Sequence, residues 1–152
     1  MARPEPEMLR LIALDDDDLA VISANLQDAV VRVPDLAYLP KARRFALLAS
    51  RFDWAASETQ MERCRAGLHF DAVTHAAFTG FNPADAATVL NLLSVGFDPG
   101  EAPGGQIVLT FSGGAGIRLK VECIDAQMRD IGPRWVTRAK PGHGIDDEPK
   151  AG

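Results

Sequence analysis

The stretch QIVLTFSGGAGIRLKVECI, residues 106–124, carries the clearest strand pattern in the chain. In its second half Ile117, Leu119 and Val121 alternate with charged residues, so an extended chain would have one apolar side and one charged side. A period of two is typical of a half-buried β-strand. The glycine-rich residues 113–116 separate this run from the apolar run before it, and glycine readily adopts the positive φ of tight hairpin turns. The stretch therefore predicts an antiparallel hairpin.

Similar apolar or alternating runs on the N-terminal side predict further strands. The longest of them starts at Arg63 and bends to reach about Thr79. The connections are too short for helical crossovers, which favours antiparallel neighbours. In all we expect about eight strands, at residues 8–14, 29–33, 36–39, 44–52, 63–79, 89–97, 106–112 and 117–124.

Two short helices complete the expected elements. Leu19, Ile22 and Leu26 recur at helical spacing and predict a helix that ends near residue 27. The preceding aspartates, residues 15–18, can cap free N–H groups and favour the positive end of the helix dipole. A second helix is expected after Asp125, with Met128 and Ile131 as its apolar contacts.

These elements predict an α+β fold with a mostly antiparallel curved sheet or a partly closed barrel. A chain of 152 residues corresponds to about one domain. We expect a flexible arm at residues 1–7, a single α+β domain at residues 8–137 and a disordered tail at residues 138–152.

The composition excludes several classes of partner. The formal net charge is -5, which argues against general binding to nucleic acid or anionic lipid, since both need clustered Lys and Arg, although a local basic patch stays possible. Apolar runs are shorter than the roughly 20 residues of a membrane span. The two cysteines, Cys64 and Cys123, are expected to be free thiols. We expect a cytoplasmic protein that contacts neither nucleic acid nor membrane.

Acidic and histidine residues suggest metal sites at first sight. The four aspartates lack the glycine and distal glutamate of a calcium loop, so helix capping is the preferred interpretation. His69, Asp71 and His75 would share one face of a straight strand. His69 and His75 would then be about 20 Å apart, at roughly 3.3 Å per residue, too far for one zinc ion. Only a sharp bend near Ala72 or Val73 could bring them together.

Two other features suggest binding. Gly113–Gly116 could present N–H groups to an anion, but it leads into a strand, whereas phosphate loops lead into a helix. The middle of the chain is basic, and pairing of its strands could gather Arg44, Arg51, Arg63 and Arg65 beside Trp54 in one interaction surface. The alternative is a set of solvated charges that protect strand edges.

Four segments carry a resemblance to known proteins: LRLIALD (9–15), LAVISANLQDA (19–29), RFALLASRFDW (44–54) and GIRLKVECI (116–124). Together they resemble an uncharacterised bacterial family, a domain of unknown function found mainly in alphaproteobacteria. The resemblance extends from about Leu9 to Trp135 and implies a small cytosolic bacterial protein. It implies no activity and no functional residue. In outline the strand-rich body with a terminal helix is similar to pleckstrin-homology-like barrels, a likeness of element order alone.

We expect a non-catalytic binding or accessory module that acts through protein–protein contacts, with a protein partner or with itself as a homodimer. No nucleophile motif is present, which argues against an enzyme, and no cofactor is expected. Two alternatives stay open. One is a small metal-assisted hydrolase that uses His69, Asp71 and His75, and the other is a binder of a small anionic ligand at Gly113–Gly116.

Overall fold

A computed structural model of the protein describes residues 8–53 and 61–137. Within this part the chain forms one α-helix, α1 (Asp16–Asn25), and ten β-strands. The predicted arm, the predicted tail and Trp54 lie outside the described residues. The strands β1 to β10 are, in chain order, Arg10–Ala13, Val30–Arg32, Leu36–Leu39, Arg44–Asp53, Met61–Phe70, Val73–Thr79, Val89–Pro99, Gly105–Phe111, Gly116–Val121 and Ala126–Thr137.

The ten strands form one antiparallel sheet with the order β1-β10-β5-β4-β2-β7-β8-β9-β6, and β3 pairs with β4 beside this path. The expected α+β class with an antiparallel sheet is confirmed. The expected count of about eight strands and two helices is wrong for the described residues, which form ten strands and one α-helix. The sheet of the described residues does not close, because β1 and β6 end the path, so of the two expected forms the open sheet is the one observed.

The expected second helix is a strand. Residues from Ala126 to Asp130 pair on one side with β1 and on the other with β5. Met128 is fully buried in the core, whereas Arg129 points outward and is exposed, which is the period of two. Pairing on both sides outweighs the local helical signal. Gly132 has a φ of 78° and lies in a bulge of the strand instead of ending a helix. With an open sheet and no helix here, the likeness to pleckstrin-homology-like barrels is not supported.

The long run from Arg63 to Thr79 is two strands that pair with different neighbours. β5 lies between β4 and β10, whereas β6 pairs with β9. The chain turns between them at Ala72, which has a φ of 58°. This turn sends the two halves of one alternating run into different parts of the sheet.

The N-terminal helix is confirmed. The side chain of Asp15 accepts a hydrogen bond from the backbone N–H of Asp18 at 2.8 Å, the geometry of a helix cap. Leu19, Ile22 and Leu26 are fully buried, and α1 packs against β7 and β1. The helix thereby covers the core face of the sheet.

The hairpin at residues 106–124 is confirmed. β8 and β9 pair antiparallel, with Leu109 opposite Ile117. Gly113 and Gly114 have φ values of 77° and 83°, as the turn requires. Both cysteines are free thiols. No helix among the described residues is long and apolar enough to cross a membrane.

Candidate functional site

The outward face of β4, β5, β10 and β1 carries a row of side chains set by the strand register. Leu48 lies opposite Gly67, Gly67 opposite Arg129, and Arg129 opposite Arg10. In the adjacent row, His69 lies between Ala46 and Gln127. Residues directly opposite each other on antiparallel strands have Cβ atoms about 5 Å apart, so each row is a continuous surface.

A shallow groove of about 260 Å³ lies over Gly67, and we call it the outer groove. It exists because glycine leaves a gap between larger neighbours. A Cβ at residue 67 would lie 3.1 Å from Ile131 Cδ1 and 3.9 Å from Leu48 Cδ2. The groove is lined by Arg10, Ala46, Leu47, Leu48, Gly67, Leu68, His69, Gln127, Arg129 and Ile131.

Arg10 and Arg129 make the outer groove positive. They face each other on neighbouring strands, both are exposed, and both line the groove. Among the described residues no carboxylate forms an ion pair with either guanidinium group. Like charges directly opposite each other destabilise a sheet. An arginine pair that has no acidic partner among the described residues, in a protein of net charge -5, is therefore a candidate anion site.

His69 adds a polar wall to the groove. Its Nε2 atom is buried, makes no hydrogen bond within the described part of the chain, and lies 3.5 Å from Asp71 Oδ2. Asp71 is already held by Arg44, which donates from Nε to Oδ1 at 2.8 Å and from Nη2 to Oδ2 at 3.3 Å. The hydrogen bond to Asp71, followed by its negative charge, raises the pKa of Arg44. Because Arg44 neutralises Asp71, this carboxylate does not offset the charge of the arginine pair.

A buried ion pair on the core side fixes the strands beneath the groove. Arg51 donates from Nε to Asp130 Oδ1 at 2.7 Å and from Nη2 to Oδ2 at 2.6 Å. Asp130 also exchanges two hydrogen bonds with Leu9, because Oδ2 accepts from the Leu9 N–H and the Asp130 N–H donates to the Leu9 carbonyl, both at 2.8 Å. The pair thus links β4, β10 and the start of β1, and supports the register that sets Arg10 opposite Arg129.

The structure separates the arginines predicted to form one surface. Arg44 and Arg65 are exposed, but Arg51 and Arg63 are each only 3 % exposed. Arg63 lies over the ring of Phe52, with its guanidinium carbon 3.7 Å from the ring centroid. The expectation of one exposed patch assumed that all four point to solvent. Alternation along β4 instead turns Arg51 towards the core.

The predicted metal ligands do not converge. The bend that could have gathered them is present at Ala72, but it carries His75 into β6, where it lies opposite Lys120 of β9. Only His69 and Asp71 are close to each other. Across residues 8–53 and 61–137, no group of three His, Cys, Asp or Glu side chains could hold a metal ion.

The glycine-rich turn, Gly113–Gly116, joins two strands as expected, so it lacks the helix of a phosphate loop. A Cβ at Gly113 or Gly114 would meet nothing within 4 Å, which places both residues in open space.

Sequence reasoning did not identify Arg10 and Arg129. They are remote in sequence, and a helix at residues 125–131, as predicted, could not pair with β1 and so could not bring Arg129 opposite Arg10. The available signal was the alternation of the apolar Ile124, Ala126 and Met128 with the polar Asp125, Gln127 and Arg129, which is typical of a strand.

A family model described as "Protein of unknown function (DUF2948)" matches residues 9–143. The expected resemblance to a family without known function is confirmed, whereas its bacterial distribution stays a prediction. No curated protein and no solved structure matches the chain.

Proposed function

Because the chain belongs to the DUF2948 family of proteins of unknown function, whose name specifies no activity, we propose its function from the outer groove. The protein is a non-catalytic binding module that holds a carboxylate-bearing segment of a partner protein. The observation that carries this proposal is the arginine pair, Arg10 and Arg129, opposite each other without an acidic partner among the described residues.

Charge supports an acidic partner. Arginine presents a planar fork of N–H donors that matches a carboxylate, and hydrogen bonds to charged groups are stronger than neutral ones. A carboxylate placed between Arg10 and Arg129 would relieve their mutual repulsion. Binding would therefore gain both the new ion pairs and the loss of an unfavourable contact in the free protein.

Size and composition support binding without catalysis. Pockets for drug-sized ligands and cofactors usually exceed about 300 Å³, and the outer groove is smaller and shallow. It suits one or two side chains of a partner better than a whole cofactor. Its lining contains no Ser, Thr, Cys, Lys or Tyr that could act as a nucleophile, so His69 has no such group beside it to activate.

Nuclear magnetic resonance titration of the ¹⁵N-labelled full chain tests the proposal with glutarate, a small dicarboxylate, as the probe. We expect saturable shifts of the Gly67, His69 and Gln127 amide signals, which lie on the groove floor. Arg129→Gln should weaken binding at least tenfold. Arg32→Gln is the matched control, because Arg32 is exposed and does not line the groove.

Inorganic phosphate, titrated in parallel, separates the two kinds of anion. Tighter saturation by glutarate than by phosphate supports a carboxylate partner, and the reverse order contradicts it. An absence of shifts with both probes, or equal binding by wild type and Arg129→Gln, would also contradict the proposal.

A further inference from the structure

We infer that the partner binds as an added strand: an extended acidic segment pairs with the free edge of β1 and directs an acidic side chain at Arg10. This inference rests on the proposed function and gives it a geometry. β1 ends the strand order of the sheet, so within residues 8–53 and 61–137 only one of its two edges is paired, with β10.

The unpaired edge of β1 presents the backbone N–H and C=O groups of Arg10 and Ile12. The Leu9 carbonyl accepts from the Asp130 N–H on β10. Backbone groups alternate along an antiparallel strand, so Leu9, Leu11 and Ala13 face β10, whereas Arg10 and Ile12 turn their N–H and C=O groups outward. Among the described residues, Arg10 and Ile12 make no further hydrogen bond or ion pair. Two N–H donors and two carbonyl acceptors are thus available to an added strand.

The side chains along the β1 edge are mostly apolar and exposed, unlike those of an edge strand that is protected against association. Charged residues and prolines commonly guard edge strands against association. Here Arg10 is flanked by apolar side chains that are about half exposed or more: Met8 at 48 %, Ile12 at 53 % and Leu14 at 66 %. Met8, Arg10, Ile12 and Leu14 form one strip on the same face, and this strip favours a partner strand whose side chains on that face are acidic opposite Arg10 and apolar on either side of it.

Charge decides between an acidic segment and a second copy of this chain. Pairing of β1 with β1 of another copy would bring two Arg10 residues to the interface, each beside its own Arg129. Four guanidinium groups in one surface would repel one another. A glutamate opposite Arg10 would instead lie one strand from Arg10. It would lie two strands, or about 10 Å, from the Arg129 backbone. The long side chains of Arg10 and Arg129 can both extend to a carboxylate at that position.

The probe is a capped seven-residue peptide with glutamate at its centre, valine two residues before and two residues after it, and threonine elsewhere, added to the ¹⁵N-labelled full chain. The glutamate and the two valines then share one face of the extended peptide. Hydrogen exchange of single amides is the measurement. We expect exchange at Arg10 and Ile12 to slow at least tenfold, while Leu11 and Ala13, already bonded to β10, change little. The control peptide carries an N-methyl group on its glutamate, because the residue opposite Arg10 would use its own N–H.

Each outcome has a distinct meaning. Slower exchange at Arg10 and Ile12 with the first peptide but not with the methylated one supports strand addition. If glutarate and the peptide shift the groove signals while those two amides exchange as before, strand addition is overturned and the groove proposal stands. If neither probe shifts any signal, both are overturned. Protection of the two amides that needs no peptide and grows with protein concentration would identify a second copy as the occupant and overturn the acidic segment.

Discussion

Arg51 and Asp130, 79 residues apart, form a two-pronged ion pair inside the protein, with N–O distances of 2.7 and 2.6 Å. The side chains are only 4 % and 0 % exposed. Asp130 lies one residue beyond Arg129 on β10, so this pair and the arginine pair occupy opposite faces of the same strand. The position of the binding residues therefore depends on a buried contact that the ligand never touches.

Removal of one member of this pair should be costly. Asp130→Asn removes the two-pronged counter-ion of the buried Arg51 and leaves it with the more distant Asp53, whose Oδ2 lies 3.7 Å from Nη2. We expect the free energy of unfolding to fall by about 3 kcal/mol. Asp71→Asn is the matched control, since its partner Arg44 is exposed, and it should cost about 1 kcal/mol or less. Urea denaturation measures both. A similar small loss in the two variants would contradict a structural role for the buried pair.

The contribution of Arg51 should not depend on pH near neutrality. Burial by itself lowers the pKa of Arg51, but the hydrogen bond and charge of Asp130 outweigh it, and the net effect is a raised pKa. A raised pKa gives stability that is present below the ordinary value and lost only above it. The difference in unfolding free energy between wild type and Arg51→Met should thus stay constant from about pH 7 to 10. A steady decline across this range would contradict the assignment.

Neutralisation of one outer arginine should stabilise the free protein while it weakens binding. Arg129→Gln removes the repulsion with Arg10, and we expect a gain of about 0.2–1 kcal/mol at low salt. The gain should shrink as salt screens the charges. Thermal unfolding of wild type, both single variants and the double variant at two salt concentrations measures the coupling. Additive effects of the two substitutions would show that the arginines do not interact.

Filling the groove should impair binding without loss of the fold. Gly67→Ala places a Cβ 3.1 Å from Ile131 Cδ1, the end of a half-exposed side chain that can move. We expect a change in stability within about 1 kcal/mol and clearly weaker glutarate binding. Gly96→Ala is the control, because a Cβ there meets nothing within 4 Å and lies on β7. Equal binding by the two variants would argue against the groove as the site.

Gly80 and Gly113 allow the cost of a steric clash to be distinguished from the cost of a strained backbone conformation. Gly80 and Gly113 both have positive φ, 75° and 77°. A Cβ at Gly80 would lie 2.3 Å from the Gly114 carbonyl oxygen, whereas one at Gly113 would be in open space. We expect Gly113→Ala to cost about 1–2 kcal/mol from strain alone, and Gly80→Ala clearly more. Calorimetry decides the order, and equal losses would mean that the Gly80 contact relaxes easily.

The candidate site was only partly predictable. Strand alternation places Arg65 and His69 on one side of β5, and the structure confirms that both lie on the outer face. Alternation along β4 puts Arg51 on the same side as the buried Phe45 and Leu47, but a charged residue at a core position violates the usual pattern, so its burial against Asp130 could not be predicted. Asp130 is 79 residues from Arg51 and falls in the helix that the sequence predicts, so no local pattern predicts the ion pair.

By itself, the sequence determined the elements whose signals are local: the capped helix α1, the β8–β9 hairpin and the antiparallel class of the sheet. The hydrogen bonds of α1 and of the hairpin join residues that are near in sequence, so periodicity, caps and turn glycines suffice for them, and short connections favour antiparallel neighbours. Only the tertiary structure decided that residues 126–137 form a central strand between β1 and β5. That choice depends on partners more than 50 residues away, and it alone sets Arg10 opposite Arg129 beside Gly67.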